Sequence, residues 1–158
     1  MHIAVIIAVF LLLSTSRALS DCPDGWLHHG SSCYHISHDK EPMITASASC
    51  QHMGGEFVEI ESAAENAFLF AQIKPLKIEA WLGLNDIQEE TVWHWYGSNR
   101  PLTSTGFKNW HSGEPNNLQD DENCALMSPA NGQWYDGHCH VPLHYICEKS
   151  YGSGEIVG

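Results

Sequence analysis

The chain has 158 residues, with 7 lysines and arginines against 19 aspartates and glutamates and a formal net charge of −12. So acidic a balance excludes nucleic acid as a natural partner, because phosphate backbones are held by basic surfaces. The length suits one compact domain once a leader is set aside.

The first segment, Ile3 to Leu13, is an unbroken apolar run of eleven residues, followed by Arg17 and the small-residue sequence Ala18-Leu19-Ser20. That pattern predicts a secretory signal peptide over residues 1–20. The run falls short of the ~18 apolar residues that a membrane span needs. The mature chain is therefore expected to be secreted and extracellular, with no membrane insertion, and loss of Arg17 leaves it with 6 basic residues against 19 acidic. Carboxylates at that density repel one another unless cations share them, which favours an oxygen-rich cation site. Its six cysteines, Cys22, Cys33, Cys50, Cys124, Cys139 and Cys147, are even in number and lack CxxC spacing. Three disulfides follow, with fifteen pairings open.

Trp26, Leu27, Tyr34 and Ile36 flank Gly30-Ser31-Ser32, the pattern of a hairpin that Cys22 and Cys33 could staple. Thr45 then reads as the cap of a helix over Ala46 to Met53, stopped by Gly54-Gly55. A second helix is marked by the capping box of Ser62 and Glu65, by Ala64, Phe68 and Ala71 at helical spacing, and by Lys74-Pro75 as its end. Short strands are predicted at Ala80 to Leu84, Thr91 to Tyr96, Cys124 to Met127, Gln133 to Tyr135 and His144 to Cys147. Trp81, Trp93 and Trp95 read as core aromatics. The stretch from Tyr96 to Asn123 is long and irregular, which points to function, and Phe107 and Trp110 argue that it is folded. Residues 151–158, with three glycines and little to bury, read as a flexible tail.

Between Glu114 and Asn123, eight of ten side chains carry an oxygen donor. Calcium takes six to eight hard oxygen ligands, so this is the segment's natural ion. In an extended chain Glu114 and Asn116 share a face, and the intervening Pro115 constrains the turn.

The order of features resembles the long form of the C-type lectin-like domain, over essentially all of Cys22 to Cys147. Trp81-Leu82-Gly83-Leu84 is similar to that family's WIGL strand and Glu114-Pro115-Asn116 to its EPN loop. Glu122, two residues before Cys124, resembles a further calcium ligand, and Trp134-Tyr135-Asp136 resembles the WND motif. The resemblance implies an α+β fold over residues 21–150, with two short helices, small antiparallel sheets and a long calcium-binding loop region. It implies the pairs Cys22 with Cys33, Cys50 with Cys147, and Cys124 with Cys139. It also implies a Ca2+ held by Glu114, Asn116, Glu122 and Asp136, and a sugar bound by Glu114, Asn116, Glu122, Tyr135 and Asp136. In that family EPN implies mannose-type sugars with equatorial 3- and 4-hydroxyls, whereas QPD implies galactose. Tyr135 departs from the motif's asparagine and removes one amide ligand. Weaker binding, or a phenol contact that shifts preference towards galactose, is the expected consequence. Asp86, Glu90, Asn117 and Asn123 match positions of an accessory calcium.

The expected function is that of a calcium-dependent lectin for glycans, including those of microbial surfaces, in innate immunity. One ion and a few hydrogen bonds give a monosaccharide only about millimolar affinity, so clustering as a homo-oligomer would add avidity. A structural or mineral- and matrix-interacting protein of the same fold is the competing reading. An enzyme is not expected, because HExxH and GxSxG are both absent and the carboxylates are better used as metal ligands. His138, His140 and His144 read as a solvated strand face rather than a zinc site. Trp110 and Tyr135 are the aromatics expected near the sugar. No N-x-S/T sequon is present, so N-glycans are not expected.

Overall fold

A computed structural model describes residues 22–103 and 105–151. The expected leader over 1–20 and all of the expected tail except Tyr151 lie outside the described residues.

The chain opens with a hairpin, β1 (Leu27–His29) and β2 (Ser32–Ile36), in which Leu27 faces Tyr34 across an antiparallel ladder. Gly30 takes the left-handed conformation at the turn, φ +61°, where a side chain would be strained. Helix α1 (Met43–His52) starts three residues before the expected position, on Pro42 rather than Thr45. Its first amide is satisfied from far along the chain: Met43 N–H donates to the Cys139 carbonyl at 2.9 Å. A tertiary hydrogen bond thus replaces the side-chain cap that local sequence would supply.

After β3 (Glu56–Phe57), helix α2 (Ala63–Leu76) is capped as expected, with Ser62 Oγ accepting from Glu65 N–H at 3.2 Å. The Glu65 carboxylate reaches back one residue further than a capping box requires, to Glu61 N–H at 2.8 Å. Pro75 does not end this helix, which runs to Leu76 and stops at Lys77 in a left-handed turn, φ +56°. Pro75 lies in the last turn with only Leu76 after it, so its missing N–H and its ring disturb little of the helix.

Five strands follow: β4 (Ala80–Asn85), β5 (His94–Trp95), β6 (Cys124–Met127), β7 (Trp134–Gly137) and β8 (His144–Ser150). Strand β5 is shorter than expected because Thr91 turns at φ +70°, held by its N–H to Asp86 Oδ2 at 2.9 Å. The strand order is β1-β2-β8-β4-β6-β7, with β3 on β8 and β5 on β4. All pairings are antiparallel except β4 with β8, where Ala80 faces His144 and Trp81 faces Tyr145 in parallel. The sheet is therefore mixed rather than purely antiparallel. Every residue of β4 is buried, as expected of a strand covered on both faces.

Two apolar clusters meet along β4. One contains Leu69 and Ile73 of α2 with Leu82, Leu84, Trp93, Trp95 and Trp134. The other contains Met43, Ala46 and Cys50 of α1 with Phe57, Trp81 and Tyr145. Gly83 lets β3 approach: a Cβ there would lie 2.7 Å from the Val58 carbonyl oxygen. The disulfides are Cys22–Cys33, Cys50–Cys147 and Cys124–Cys139. The second ties α1 to β8 and the third closes the chain around β6 and β7.

Candidate functional site

The long irregular stretch is anchored from beneath by aromatic rings. Phe107 and Trp110 pack edge-on against Trp134 at 5.7 and 5.8 Å. Trp110 belongs to this foundation, where it also meets Trp93 at 4.7 Å, and so it serves as a strut of the loop. Backbone bonds complete the anchor: Trp134 N–H donates to Asn109 O at 2.8 Å and His111 N–H to Trp134 O at 2.9 Å.

On this base the loop brings the acids and amides together. Glu114-Pro115 is a cis peptide. Asn116 Nδ2 donates to both Glu114 oxygens, at 2.8 and 2.9 Å, so the pair shares a face as the spacing suggested. Asp136, buried on β7, accepts the N–H groups of Asn116 at 3.1 Å and Asn117 at 2.6 Å through its two oxygens. Glu122 accepts Leu118 N–H at 3.0 Å, and its own N–H donates to Asn117 Oδ1 at 3.0 Å. A single 3-10 turn, Leu118–Asp120, lies between them. Asn117, Gln119 and Asp120 all have positive φ, from +47° to +63°. Such a run of left-handed residues persists only where surroundings over-determine it, and it is characteristic of functional loops.

The electrostatics are those of unshared negative charge. The Glu114 carboxyl is pushed up to about 7 by burial, then by a hydrogen bond shared with Asp136 and by the charges of Asp136 and Glu122, against the lowering effect of the Asn116 amide. Like charges gathered at one place hold each other protonated unless a cation intervenes. The next acid, Asp86, is 3% exposed, and its Oδ1 has no hydrogen-bond partner. Burial raises its pKa, and the charges of Glu90 and Asp136 raise it further. A buried unpaired carboxylate oxygen is costly.

Among the described residues no group of three or more His, Cys, Asp and Glu side chains is closed up around an ion position. The acids are instead spent on loop amides and Asn117 Oδ1 on Glu122 N–H, so the remaining amide donors are the side-chain oxygens of Asn116 and Asn123. The donor chemistry nevertheless suits calcium, which takes carboxylate, amide and backbone oxygens. The crowded Glu114 and the orphaned Asp86 oxygen both fit a hard cation.

The other expected positions are dispersed. Glu90 is exposed, and Asn123 offers its carbonyl oxygen to Asp86 N–H at 3.1 Å. The Tyr135 ring stacks on His111 at 4.8 Å, and its oxygen accepts from Asn131 Nδ2 at 3.1 Å. His138 and His140 stack on each other, His138 meets the Asp121 carbonyl at 2.9 Å, and His144 meets the Ser37 carbonyl at 3.0 Å. His144 is partly buried rather than on a solvated face. Sequence reasoning passed over His111, whose only local signal is its place three residues before Glu114. It read Glu65 only as part of a capping box and passed over Glu148, which is half-buried. An open depression of about 750 Å3 lies elsewhere, among Glu56, Glu59, Arg100 and Glu148.

Comparison with known proteins agrees with this architecture. The family model "Lectin C-type domain" matches residues 39–149. C-type lectin domain family 4 member M of Nomascus concolor is 37% identical over 133 residues, which cover 84% of this chain and 32% of that protein. The chain thus spans about a third of the length of that curated relative. Among solved structures, the mouse scavenger receptor C-type lectin carbohydrate-recognition domain superposes with TM-score 0.75 at 31% identity, covering 82% of this chain and 97% of that one. The cow carbohydrate-recognition domain of CD23, solved in the presence of a GlcNAc2Man3 oligosaccharide, superposes with TM-score 0.75 at 30% identity, covering 83% and 97%.

Proposed function

We propose that this chain, which belongs to the C-type lectin domain family, is an extracellular lectin that binds mannose-type glycans through calcium. The family is a carbohydrate-binding, non-enzymatic one. The observation that carries the finer reading is the meeting of Glu114, Asn116 and Asp136 at the foot of one loop, with Glu114 raised towards protonation first by burial and then by its acidic neighbours.

In this reading Glu114, Asn116, Glu122 and Asp136 hold the ion, and Asp86, with its orphaned oxygen, is the residue around which an accessory ion would be held. Calcium when bound supplies coordination to two vicinal sugar hydroxyls. The protein does the rest. The Glu114 carboxylate accepts from a hydroxyl and the Asn116 amide donates to one, so the pair reads both functions of each hydroxyl. The order acid then amide matches the mannose-type arrangement. Tyr135 has no amide oxygen to offer, and its phenol oxygen is turned to Asn131, which leaves the ion one side-chain ligand fewer than the family motif provides and weakens its hold. A secretory leader over residues 1–20 and a domain over 21–150 complete the reading. Among the described residues no helix is long and apolar enough to cross a membrane. Recognition of microbial glycans, strengthened by clustering, is the biological role this chemistry suits.

The test is retention of the purified protein on immobilised mannose and galactose, with calcium and with chelator, for the native sequence and for Glu114→Gln with Asn116→Asp. Calcium-dependent retention on mannose, weakened or redirected to galactose by the double change, is the expected result. No retention on either sugar would favour a structural or surface-binding role for the same fold.

A further inference from the structure

We propose that the stacked pair His111 and Tyr135 is a second saccharide subsite, taking the sugar residue next to the one held at the Glu114 loop. The inference rests on the calcium-lectin reading and deepens it by naming an oligosaccharide rather than a monosaccharide as the ligand.

Position comes first. His111 lies three residues before Glu114, and the turn between them is closed by Glu114 N–H donating to the His111 carbonyl at 2.9 Å. Tyr135 is the immediate neighbour of Asp136 on β7. Each ring is therefore attached to a primary-site acid, and the parallel bridge of Trp110 with Trp134 fixes the two segments side by side.

Chemistry follows. The rings are 4.8 Å apart and 20° from parallel, and both residues are half-buried. Sugar rings present C–H faces that settle on aromatic surfaces, with polar groups at the rim fixing orientation. The rim here is set up for hydroxyls. His111 Nδ1 lies 2.8 Å from Gln133 Oε1. That oxygen can only accept, so Nδ1 is the donor of this bond and Nε2 is the ring nitrogen left for another partner. The Tyr135 oxygen accepts from Asn131 Nδ2, and its own O–H finds no acceptor among the described residues. A ring nitrogen and a phenol O–H, on adjoining rings, remain for a ligand. A stack serving only to brace the loop would need neither.

The asparagine-to-tyrosine departure in the WND-like motif thus exchanges an ion ligand for an aromatic surface. Weaker hold on the first residue is offset by contact with the second.

The experiment is calorimetric titration, in calcium, of the domain with mannose, α1-2- and α1-3-mannobiose and N,N′-diacetylchitobiose. It is repeated with His111→Ala and Tyr135→Phe, and accompanied by NMR of the His111 imidazole protons. At least one disaccharide should bind about three- to tenfold tighter than mannose, the range an aromatic contact supplies. His111→Ala should bring that ratio to about one and Tyr135→Phe should lower it partway. In the native protein, the His111 ring protons should shift with disaccharide and stay still with mannose. Equal affinity for mannose and all three disaccharides, or a preference that His111→Ala leaves intact with no His111 shift, overturns the subsite while leaving the lectin reading standing. Absence of calcium-dependent binding to every sugar removes both.

Discussion

Two sets of buried or half-buried acids in this molecule are treated in opposite ways. Beside the hairpin and α2, Glu65 takes Tyr34 O–H at 2.8 Å on one oxygen and Glu61 N–H at 2.8 Å on the other. Glu148 takes Ser32 Oγ–H at 2.6 Å and Glu59 N–H at 3.3 Å. All four oxygens are supplied from inside the chain. At the loop, both Glu114 oxygens draw on the single amide nitrogen of Asn116, and Asp86 Oδ1 has nothing. Both sets are raised in pKa, with burial as the first cause. The difference is whether the fold completes the hydrogen bonding or leaves it open. Glu65 and Glu148 are closed by the fold, Glu114 and Asp86 keep capacity for something that arrives, and Asp136, with both oxygens on loop amides, holds the loop that presents them.

If that contrast is right, loss of Asp136 should have the largest consequence, since it holds two loop amides and is assigned to the ion. Asp136→Ala should abolish calcium-dependent retention on mannose, a loss of at least about a hundredfold on the scale of breaking a buried charged contact. A variant that still binds would break the assignment. Next, calcium itself should stabilise the fold. At a hundred times its dissociation constant it should add ~2.7 kcal/mol, or roughly 6–12 °C in thermal midpoint, measured by calorimetry with and without chelator. No shift would mean that the loop acids have no external partner of this kind.

On the structural side, Tyr34→Phe strips one donor from Glu65 and should cost about 1–3 kcal/mol in urea denaturation. Its retention on mannose should match the native protein. A change in sugar binding would show that the two regions are coupled. The smallest effect is on pH. Glu65 and Glu148 have folded pKa values above the ordinary 4.5 because burial disfavours their charged forms. Their contribution to stability is therefore full below about 4.5 and is lost as pH rises through the folded values. In chelator, the gap in stability between the native protein and Glu148→Gln should shift against the native protein over that rise. A gap independent of pH would contradict the burial argument.

What could be read in advance follows from how local each cause is. The start of α2 was legible because Ser62 and Glu65 are three residues apart, and the pairing of Glu114 with Asn116 because they are two apart. The start of α1 was not, since its first amide is satisfied by Cys139, almost a hundred residues away. Nor was the parallel contact of β4 with β8, which depends on how the two apolar clusters stack. At the site, the oxygen-rich composition singled out the loop. It could not announce that Asp136 would grip the amides of Asn116 and Asn117, or that Tyr135 would turn onto His111, because both contacts join segments about twenty residues apart.

The two ends of the described fold lie together. Cys22 is bonded to Cys33, which faces Lys149 across the β2–β8 ladder, and Tyr151 N–H donates to the Ser31 carbonyl at 2.7 Å. A unit whose entrance and exit share one doorway can be spliced into a host loop or mounted on a stalk without being pulled apart. Engineers could plug this domain into an unrelated scaffold by its hairpin, and arrays of copies could be displayed at chosen spacings.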